Sequence, residues 1–175
     1  MGLPALVPHA WVASDDATSG NLQTLTDWLN QVRNPQRCHA YQSVAQTLTT
    51  GTLTAVTFTS EDVDNDSIHS PVTNTSRMTI VTPGRYKAIG QASFAFNATG
   101  YRRASLLKNG AIVADKTENA VSAASTSHIM QVTDEILCVA GDYIELQVWQ
   151  SSGGNLALNT GANATFLHVA WAGGT

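Results

Sequence analysis

The stretch that decides the fold is VTDEILCVAGDYIELQVWQ, which runs from Val132 to Gln150. Its pattern predicts a strand, a tight turn and a second strand. Gly141 can take a positive φ and Asp142 can hydrogen-bond its own backbone, so these two residues predict the turn. After the turn, apolar residues alternate with mixed ones, which indicates a strand with one buried face. Such a strand needs a sheet covered on one side only, which favours an antiparallel sheet.

The composition favours a folded β-rich protein and argues against two classes of partner. Hydrophobic residues make up 43% of the 175 residues and charged residues 13%, a balance typical of a folded chain. The net charge is −4 and there are 9 Lys and Arg residues, so nucleic acid is not expected as a partner, because phosphate binding needs clustered cations. No run approaches the roughly 18 apolar residues of a membrane span, so no membrane insertion is expected.

The first 37 residues differ from the rest and predict an arm that carries one helix. Apolar residues recur at helical spacing near residues 20–33, and Asn34-Pro35 marks the stop. A lone amphipathic helix of about three turns is marginal in water, so its apolar stripe must dock on its own domain, on sister copies or on a host assembly. The anchoring residues expected in the arm are Trp11, Leu22, Leu25, Trp28 and Leu29.

Residues 38–175 carry β signals and predict one domain. Asn109-Gly110 favours the primed turn of a hairpin, and Gly84 follows Pro83 at the head of a long strand that starts with Tyr86 on its buried face. Small residues midway along that strand indicate close approach of another sheet. The predicted strands are Ala40–Leu48, Leu53–Thr59, Arg77–Val81, Arg85–Asn97, Tyr101–Lys108, Ala111–Lys116, Ser127–Val132, Glu135–Val139, Tyr143–Gln150 and Ala164–Ala172. Ten strands without βαβ alternation predict an all-β antiparallel sandwich of the jelly-roll kind, with residues 119–126 as a surface loop.

The order of these features resembles the C1q-like and tumour-necrosis-factor-like jelly-roll superfamily. The resemblance is carried by SRMTIVTPGRYKAIGQASF, YRRASLLKNG, CVAGDYIELQVWQSSG and the closing ATFLHVAWAGG, over roughly residues 38–175. Gly84 and Tyr86 match the G-x-Y of the family, and Gly141-Asp142 matches its GD turn. The segments NTSR at residues 74–77 and QSSG at residues 150–153, together with the start PHAWVASDDATSGNLQTLTDWL, are similar to segments of tailed-bacteriophage proteins.

This resemblance implies a homotrimer of jelly rolls on a phage particle, of the minor tail or capsid decoration type. The arm of residues 1–37 would contact other virion proteins at the tail or baseplate, and the head would take part in host-surface attachment. A decoration protein that stabilises the capsid is the alternative. The N-terminus lacks the features of a secretion signal, so assembly is expected in the host cytoplasm.

The search for chemistry gives one weak candidate site and no catalytic motif. Asp62, Asp64 and Asp66 alternate like calcium ligands, but the Gly and Glu of a calcium loop are missing, so a solvated acidic loop is the preferred interpretation. No nucleophile elbow, phosphate loop or paired-acid signature is present, so neither catalysis nor a cofactor is expected. Cys38 and Cys138 are interpreted as two buried thiols or as one disulfide, and both alternatives stay open.

A second function class is a free carbohydrate-binding module. Trp149, Tyr101 or Tyr143 on the outer face would stack on the sugar rings of a host cell-surface glycan. The same residue types also occur in cores and subunit interfaces, so the sequence leaves this alternative open.

Overall fold

The computed structural model describes residues 19–119 and 126–174, and within them one helix precedes twelve strands. Helix α1 covers Ser19–Arg33, where the sequence predicts a helix. Trp11, and most of the loop predicted at residues 119–126, lie outside the described residues. The strands are β1 Arg37–Tyr41, β2 Thr47–Leu48, β3 Thr54–Ala55, β4 Ser60–Asp64, β5 Arg77–Thr79, β6 Gly84–Phe94, β7 Tyr101–Lys108, β8 Ala111–Asn119, β9 His128–Cys138, β10 Tyr143–Gln150, β11 Leu156–Ala157 and β12 Phe166–Gly173.

The strands form two five-stranded antiparallel sheets and a short two-stranded one. The first sheet has the order β4-β1-β12-β6-β9, and its longest pairing joins β6 to β9 from Gly84 opposite Cys138 to Phe94 opposite His128. The second sheet has the order β3-β10-β7-β8, and β5 pairs with the other end of β10. Strands β2 and β11 form the small sheet. The predicted antiparallel β-sandwich is therefore confirmed.

The core lies between the two large sheets and is closed by a direct contact at Gly90. Alternate residues of β6 point inward and are buried from Tyr86 to Phe94. A Cβ atom on Gly90 would lie 2.7 Å from Cδ1 of Leu146 in β10 and 3.2 Å from Cδ2 of Leu106 in β7. The small residue expected at a close approach of two sheets is thus packed against leucines of the opposite sheet.

The stretch Val132–Gln150 forms the strand, turn and strand that its pattern predicts, but its two strands belong to different sheets. Strand β9 belongs to the first sheet and β10 to the second, so the chain crosses from one layer of the sandwich to the other between Cys138 and Tyr143. The predicted turn is present, with Gly141 at a φ of 91° and the N–H of Asp142 donating to the carbonyl of Val139 at 3.1 Å. Alternation reports which face of a strand is buried, and it carries no information about the sheet to which the strand belongs.

Several strand boundaries also differ from prediction. The predicted strands Ser127–Val132 and Glu135–Val139 are one strand, β9, because the polar Thr133-Asp134 pair that suggests a turn lies within the ladder with β6. Conversely, most of Ala40–Leu48 and Leu53–Thr59 lies outside strands, and only their ends pair. Strand β4, which carries Asp62 and Asp64, was predicted as a loop because of its charge.

Asn109 and Asp142 join the β7–β8 turn to the turn between β9 and β10. Asn109 and Gly110 take φ values of 50° and 81° and close the β7–β8 hairpin, as the primed turn requires. The Asn109 side chain then donates from Nδ2 to Oδ1 of Asp142 at 2.7 Å and accepts from the N–H of Tyr143 at 2.9 Å. The hairpin turn therefore holds the corner at which the chain changes sheets.

Gly84 and Tyr86 fix the start of β6. Gly84 has a φ of 152°, and a Cβ atom there would lie 2.2 Å from Nε1 of Trp171 and 2.6 Å from the carbonyl oxygen of Gly173. The hydroxyl of the buried Tyr86 donates to the carbonyl of Thr82 at 2.7 Å. Only glycine fits where β6 begins, because the indole of β12 covers that position.

Cys38 and Cys138 are both free and buried. They lie in β1 and β9, and β12 and β6 lie between these two strands. Three strand spacings of about 4.8 Å therefore separate β1 from β9, which places the thiols too far apart to form a disulfide. Burial raises the pKa of Cys138 to about 11, and burial also raises the pKa of Cys38 far above its usual value. The interpretation as two reduced thiols is therefore the one the fold supports.

Replacing Asp142 with Asn is expected to weaken the corner in a pH-dependent way. The Asp142 carboxylate accepts from Lys108 Nζ at 2.8 Å and from the N–H of Val139 at 2.9 Å, and its pKa is lowered to about 2, chiefly by Lys108. At neutral pH, Asp142→Asn should lower the free energy of unfolding by about 2 kcal/mol. Because the folded pKa lies below the unfolded value of 3.8, this stabilisation is complete above pH 3.8 and is lost as the pH falls towards about 2.

Denaturant unfolding of wild type and Asp142→Asn across this pH range measures the difference. Asp134→Asn is the matched control, since the hydrogen bond that Asp134 makes within the described residues is accepted from the N–H of Glu135. The prediction is wrong if the difference between wild type and Asp142→Asn stays constant between pH 5 and pH 2.

Candidate functional site

The outward face of the first sheet carries two neighbouring rows of aromatic, histidine, aliphatic and neutral polar side chains, with no Lys, Arg, Asp or Glu in either row. They run across β1, β12, β6 and β9 at matching register positions. We call this surface the aromatic–histidine face. Its rows are His39, His168, Ile89 and Thr133, and Tyr41, Phe166, Gln91 and Gln131.

His39 is the centre of the aromatic–histidine face. Its ring centroid lies 4.9 Å from that of Phe166, 5.8 Å from that of His168 and 6.4 Å from that of Tyr41. Nδ1 of His39 is 2.9 Å from Oδ2 of Asp62 at the edge of the sheet, which orients the ring. The side chain of His39 is only 18% exposed, so a tight aromatic cluster forms on a face that lies outside the core.

His168 adds no charge to this face at neutral pH. Its pKa is lowered from the usual value, first by burial and then by the nearby His39 and Arg37. The neutral imidazole of His168 lies opposite Ile89 on one side and His39 on the other. A neutral imidazole such as that of His168 can be covered by another surface without the cost of burying an ion.

The outward face of the second sheet carries more ion pairs. Arg77 pairs with Glu145 and Arg103 with Asp115 on this face, and Lys108 pairs with Asp142 at its rim. On the first sheet, the charged residues Arg37, Lys87 and Glu135 lie in the row beyond His39, where Arg85 contacts Glu135 at 3.7 Å. Charged pairs of this kind are depleted from the centres of protein interfaces, so the two outer faces of the sandwich differ in what they can bind.

A shallow groove crosses the second sheet beside Trp149. Trp149, Arg103 and Thr117 lie in register on β10, β7 and β8, and the groove encloses about 370 Å³ with Gly51 and Leu53 at its other wall. Of the other two predicted stacking residues, Tyr143 has its ring under the Arg77 guanidinium at 4.1 Å, while Tyr101 is half exposed at the start of β7. Trp149 is thus the one of the three that has polar donors beside it in a concave surface.

The three aspartates considered as calcium ligands have separate roles. Asp62 contacts His39, while Asp64 accepts three backbone N–H groups, from Asp66, Ile68 and His69, at 2.9 to 3.3 Å. Oδ2 of Asp66 is buried without a hydrogen-bond partner in the structure. Within residues 19–119 and 126–174, no group of three or more His, Cys, Asp or Glu side chains is arranged to hold a metal ion.

Helix α1 displays its apolar stripe to solvent. Leu22, Leu25, Trp28, Leu29 and Val32 are between 43% and 55% exposed. The C-terminal end of the helix is held to the body just after Arg33, where Asn65 Nδ2 donates to Oδ1 of Asn34 at 3.1 Å and to the carbonyl of Pro35 at 3.0 Å. The described part of the chain contains no helix long and apolar enough to cross a membrane.

The two packed sheets form a β-sandwich with the jelly-roll fold that is also found in C1q and tumour-necrosis-factor domains. It is similar to the globular domain of zebrafish complement 1qA protein, with 13% identity and a TM-score of 0.56 over 80% of this chain and 99% of that one. It is similar to murine APRIL at pH 8.5, with 13% identity and a TM-score of 0.59 over 78% and 98% of the two chains. It is also similar to Eiger TNF from S. frugiperda, with 12% identity and a TM-score of 0.53 over 80% and 94%.

No family model and no curated protein matches the chain. At 12% to 13% identity, the similarity to these solved structures shows the fold. What the chain binds must be argued from its own surfaces.

Sequence reasoning did not single out His39, Tyr41 or Phe166 as a cluster. His39 and His168 are far apart in sequence and become neighbours only because the first strand pairs with the last. The available signal was the alternation of His39 and Tyr41 with the buried Cys38 and Ala40, which marks an aromatic outward row. Alternation alone does not show which strand lies beside it.

Proposed function

We propose that this protein is a structural component of a tailed-bacteriophage particle, in which three copies join their jelly rolls into one head. The head would project from the tail or baseplate and contact the host surface, the arm of residues 1–37 would contact other virion proteins, and assembly would take place in the host cytoplasm. The proposal assigns assembly and binding, with no catalytic step and no cofactor. The observation that supports the joining of copies is the aromatic–histidine face, whose two rows contain no Lys, Arg, Asp or Glu, whereas ion pairs cross the outward face of the second sheet.

The aromatic–histidine face suits association of identical copies. A closed ring of three copies can cover the same patch on every subunit, and aromatic residues are enriched at the buried centres of such interfaces. Exposed Ile129 on β9 extends the apolar area beyond Gln131, whereas the Arg85–Glu135 ion pair separates Leu137 from the two rows. The exposed stripe of α1 adds a second apolar surface outside the sandwich.

Replacing Phe166 with Glu is expected to prevent trimer formation. A carboxylate at this position would add a second acidic group next to the Asp62 carboxylate that contacts His39, and burying it when copies join through this face would cost several kcal/mol. Light scattering coupled to size-exclusion chromatography should report a trimer for the wild type at micromolar concentration and smaller species for Phe166→Glu.

Gln147→Glu is the matched control, because Gln147 is a half-buried outward residue of β10 on the other sheet. It should remain trimeric. A monomeric wild type, or a Phe166→Glu variant that still forms trimers, would contradict association through this face.

Imaging of purified particles tests the virion assignment. We expect electron-microscopy density for a three-lobed head at the tail tip or baseplate, with particles that lack the protein losing that density. A head on the capsid surface at a threefold position would instead support the decoration alternative. Absence of the protein from washed, infectious particles would overturn the assignment to the virion.

The groove at Trp149 favours glycan binding as a second candidate function. An indole ring flanked by the Arg103 guanidinium and the Thr117 hydroxyl can stack on a sugar ring while donors reach its hydroxyl groups. The groove is open and lies away from the aromatic–histidine face, so it stays available in the proposed trimer.

Trp149→Ala should lower binding to the best ligand on a glycan array by at least about tenfold, since one stacking contact is worth roughly 1.5 kcal/mol. Tyr101→Ser is the control, because Tyr101 is half exposed on the same sheet and does not line the groove. Wild-type protein that binds no glycan, or equal losses for both variants, would remove this candidate.

A further inference from the structure

The apolar stripe of α1 has the spacing of a coiled-coil seam. Leu22, Leu25, Leu29 and Val32 follow one another at intervals of three, four and three residues, which are the a and d positions of two heptads. Trp28 lies beside them and widens the stripe. All five are between 43% and 55% exposed, so the described residues of the same chain leave the seam open.

The seam points away from the body of its own subunit. At 100° per residue, Gln31 and Asn34 lie about 140° and 160° around the helix from the middle of the seam. Gln31 is buried, and Asn34 is bonded to Asn65 at the end of β4. Gln31 and Asn34 line the same cavity of about 560 Å³ as Gln36 and Asn65, so the polar side of α1 is the side turned towards the sandwich.

The direction of α1 is coupled to the aromatic–histidine face. Asn65 accepts from the N–H of Arg37 at 2.7 Å and donates to Asn34 and Pro35, which clamps the end of the helix onto the start of β1. Two residues further along β1, His39 is at the centre of that face. Copies related by a threefold axis carry their helices with the same polarity, so a bundle of three would be parallel.

The charges of α1 allow identical helices to meet. Its described charged residues are Asp27 and Arg33, and neither occupies an a or d position. Asp27 accepts a hydrogen bond from Gln23 Nε2 at 2.8 Å on the side of the helix opposite the seam. A seam made only of Leu and Val carries no like-charge repulsion between copies.

We infer that the α1 helices of three copies pack against one another along this seam, as a short parallel bundle continuous with the head. This inference rests on the trimer of the proposed function and makes it more specific, because it assigns the stripe to sister copies. Two heptads are too short to associate alone, but tethering to a trimeric head raises the local concentration of the helices to the millimolar range. Attachment to other virion proteins would then fall to residues 1–18 and to the outer side of the bundle.

Disulfide trapping in the full-length protein tests the seam directly. In Leu25→Cys, thiols of neighbouring copies would meet at a d position, and mild oxidation should give covalent dimers about tenfold faster than in Asn30→Cys. Asn30 is exposed and lies outside the seam, among the residues that line the cavity beside Gln31 and Asn34. The native Cys38 and Cys138 are buried, so they contribute no background reaction.

A second pair of variants measures the energetic role of the seam. Leu29→Asp and Asn30→Asp place the same charge on adjacent residues, one inside the seam and one outside. We expect Leu29→Asp to lose helical circular dichroism while the head stays trimeric by light scattering, and Asn30→Asp to keep both.

The outcomes separate this inference from the trimer. A wild-type protein that is monomeric would overturn both. A trimeric protein in which Leu25→Cys and Asn30→Cys oxidise equally slowly, and in which Leu29→Asp keeps its helical signal, would overturn the bundle and leave the trimer standing. The bundle would also be overturned, and the trimer left standing, if Leu29→Asp kept its helical signal but was no longer incorporated into particles. The stripe would then bind another virion protein.

Discussion

The packing of the two large sheets across Gly90 is the constraint on which the rest of the structure depends. Leu106 and Leu146 fill the space that a side chain on β6 would occupy, so the sheets approach closely at this point. Residues that alternate with this contact along β6, β12 and β1 are forced outward, where they form the aromatic–histidine face. The tightness of the core therefore determines which side chains are available for binding.

The two outer faces of the sandwich differ in their side-chain chemistry. Ion pairs such as Arg103 with Asp115 keep the face of the second sheet hydrated. On the first sheet, two rows lack Lys, Arg, Asp and Glu, and burial, followed by nearby His39 and Arg37, lowers the pKa of His168. This asymmetry is what makes self-association through the first sheet, and contact with an outside ligand at the second, a coherent arrangement on one domain.

Local chemistry allowed some of the structure to be predicted from sequence. Asn109-Gly110 is sufficient for its hairpin because the required backbone angles belong to those two residues alone. The fold class followed from the number and spacing of such turns. The sheet to which β10 belongs did not, because Gly141 and Asp142 form a similar turn whether the chain stays in one sheet or crosses to the other.

Features that depend on pairing between strands distant in sequence could not be predicted from the sequence. Strand β4 has the charged composition of a loop, and it is a strand because β1 lies beside it. The cluster of His39, Phe166 and His168 exists because residues near the two ends of the domain are neighbours. The sequence left open whether the α1 stripe docks on its own domain, on sister copies or on a host assembly. Amphipathic spacing indicates an apolar surface but does not show what covers it.

The pairing of β1 with β12 also orders events in time. Arg37 faces Ala170 across the ladder, so the first sheet lacks its centre until β12 has been synthesised. Until then β1 has no neighbour on that side, and the clamp between Asn65 and the end of α1 joins elements without a completed sheet behind them. Contacts of this sequence separation slow folding, and the aromatic–histidine face is complete only once β12 has paired, so joining of copies through it must follow the synthesis of β12.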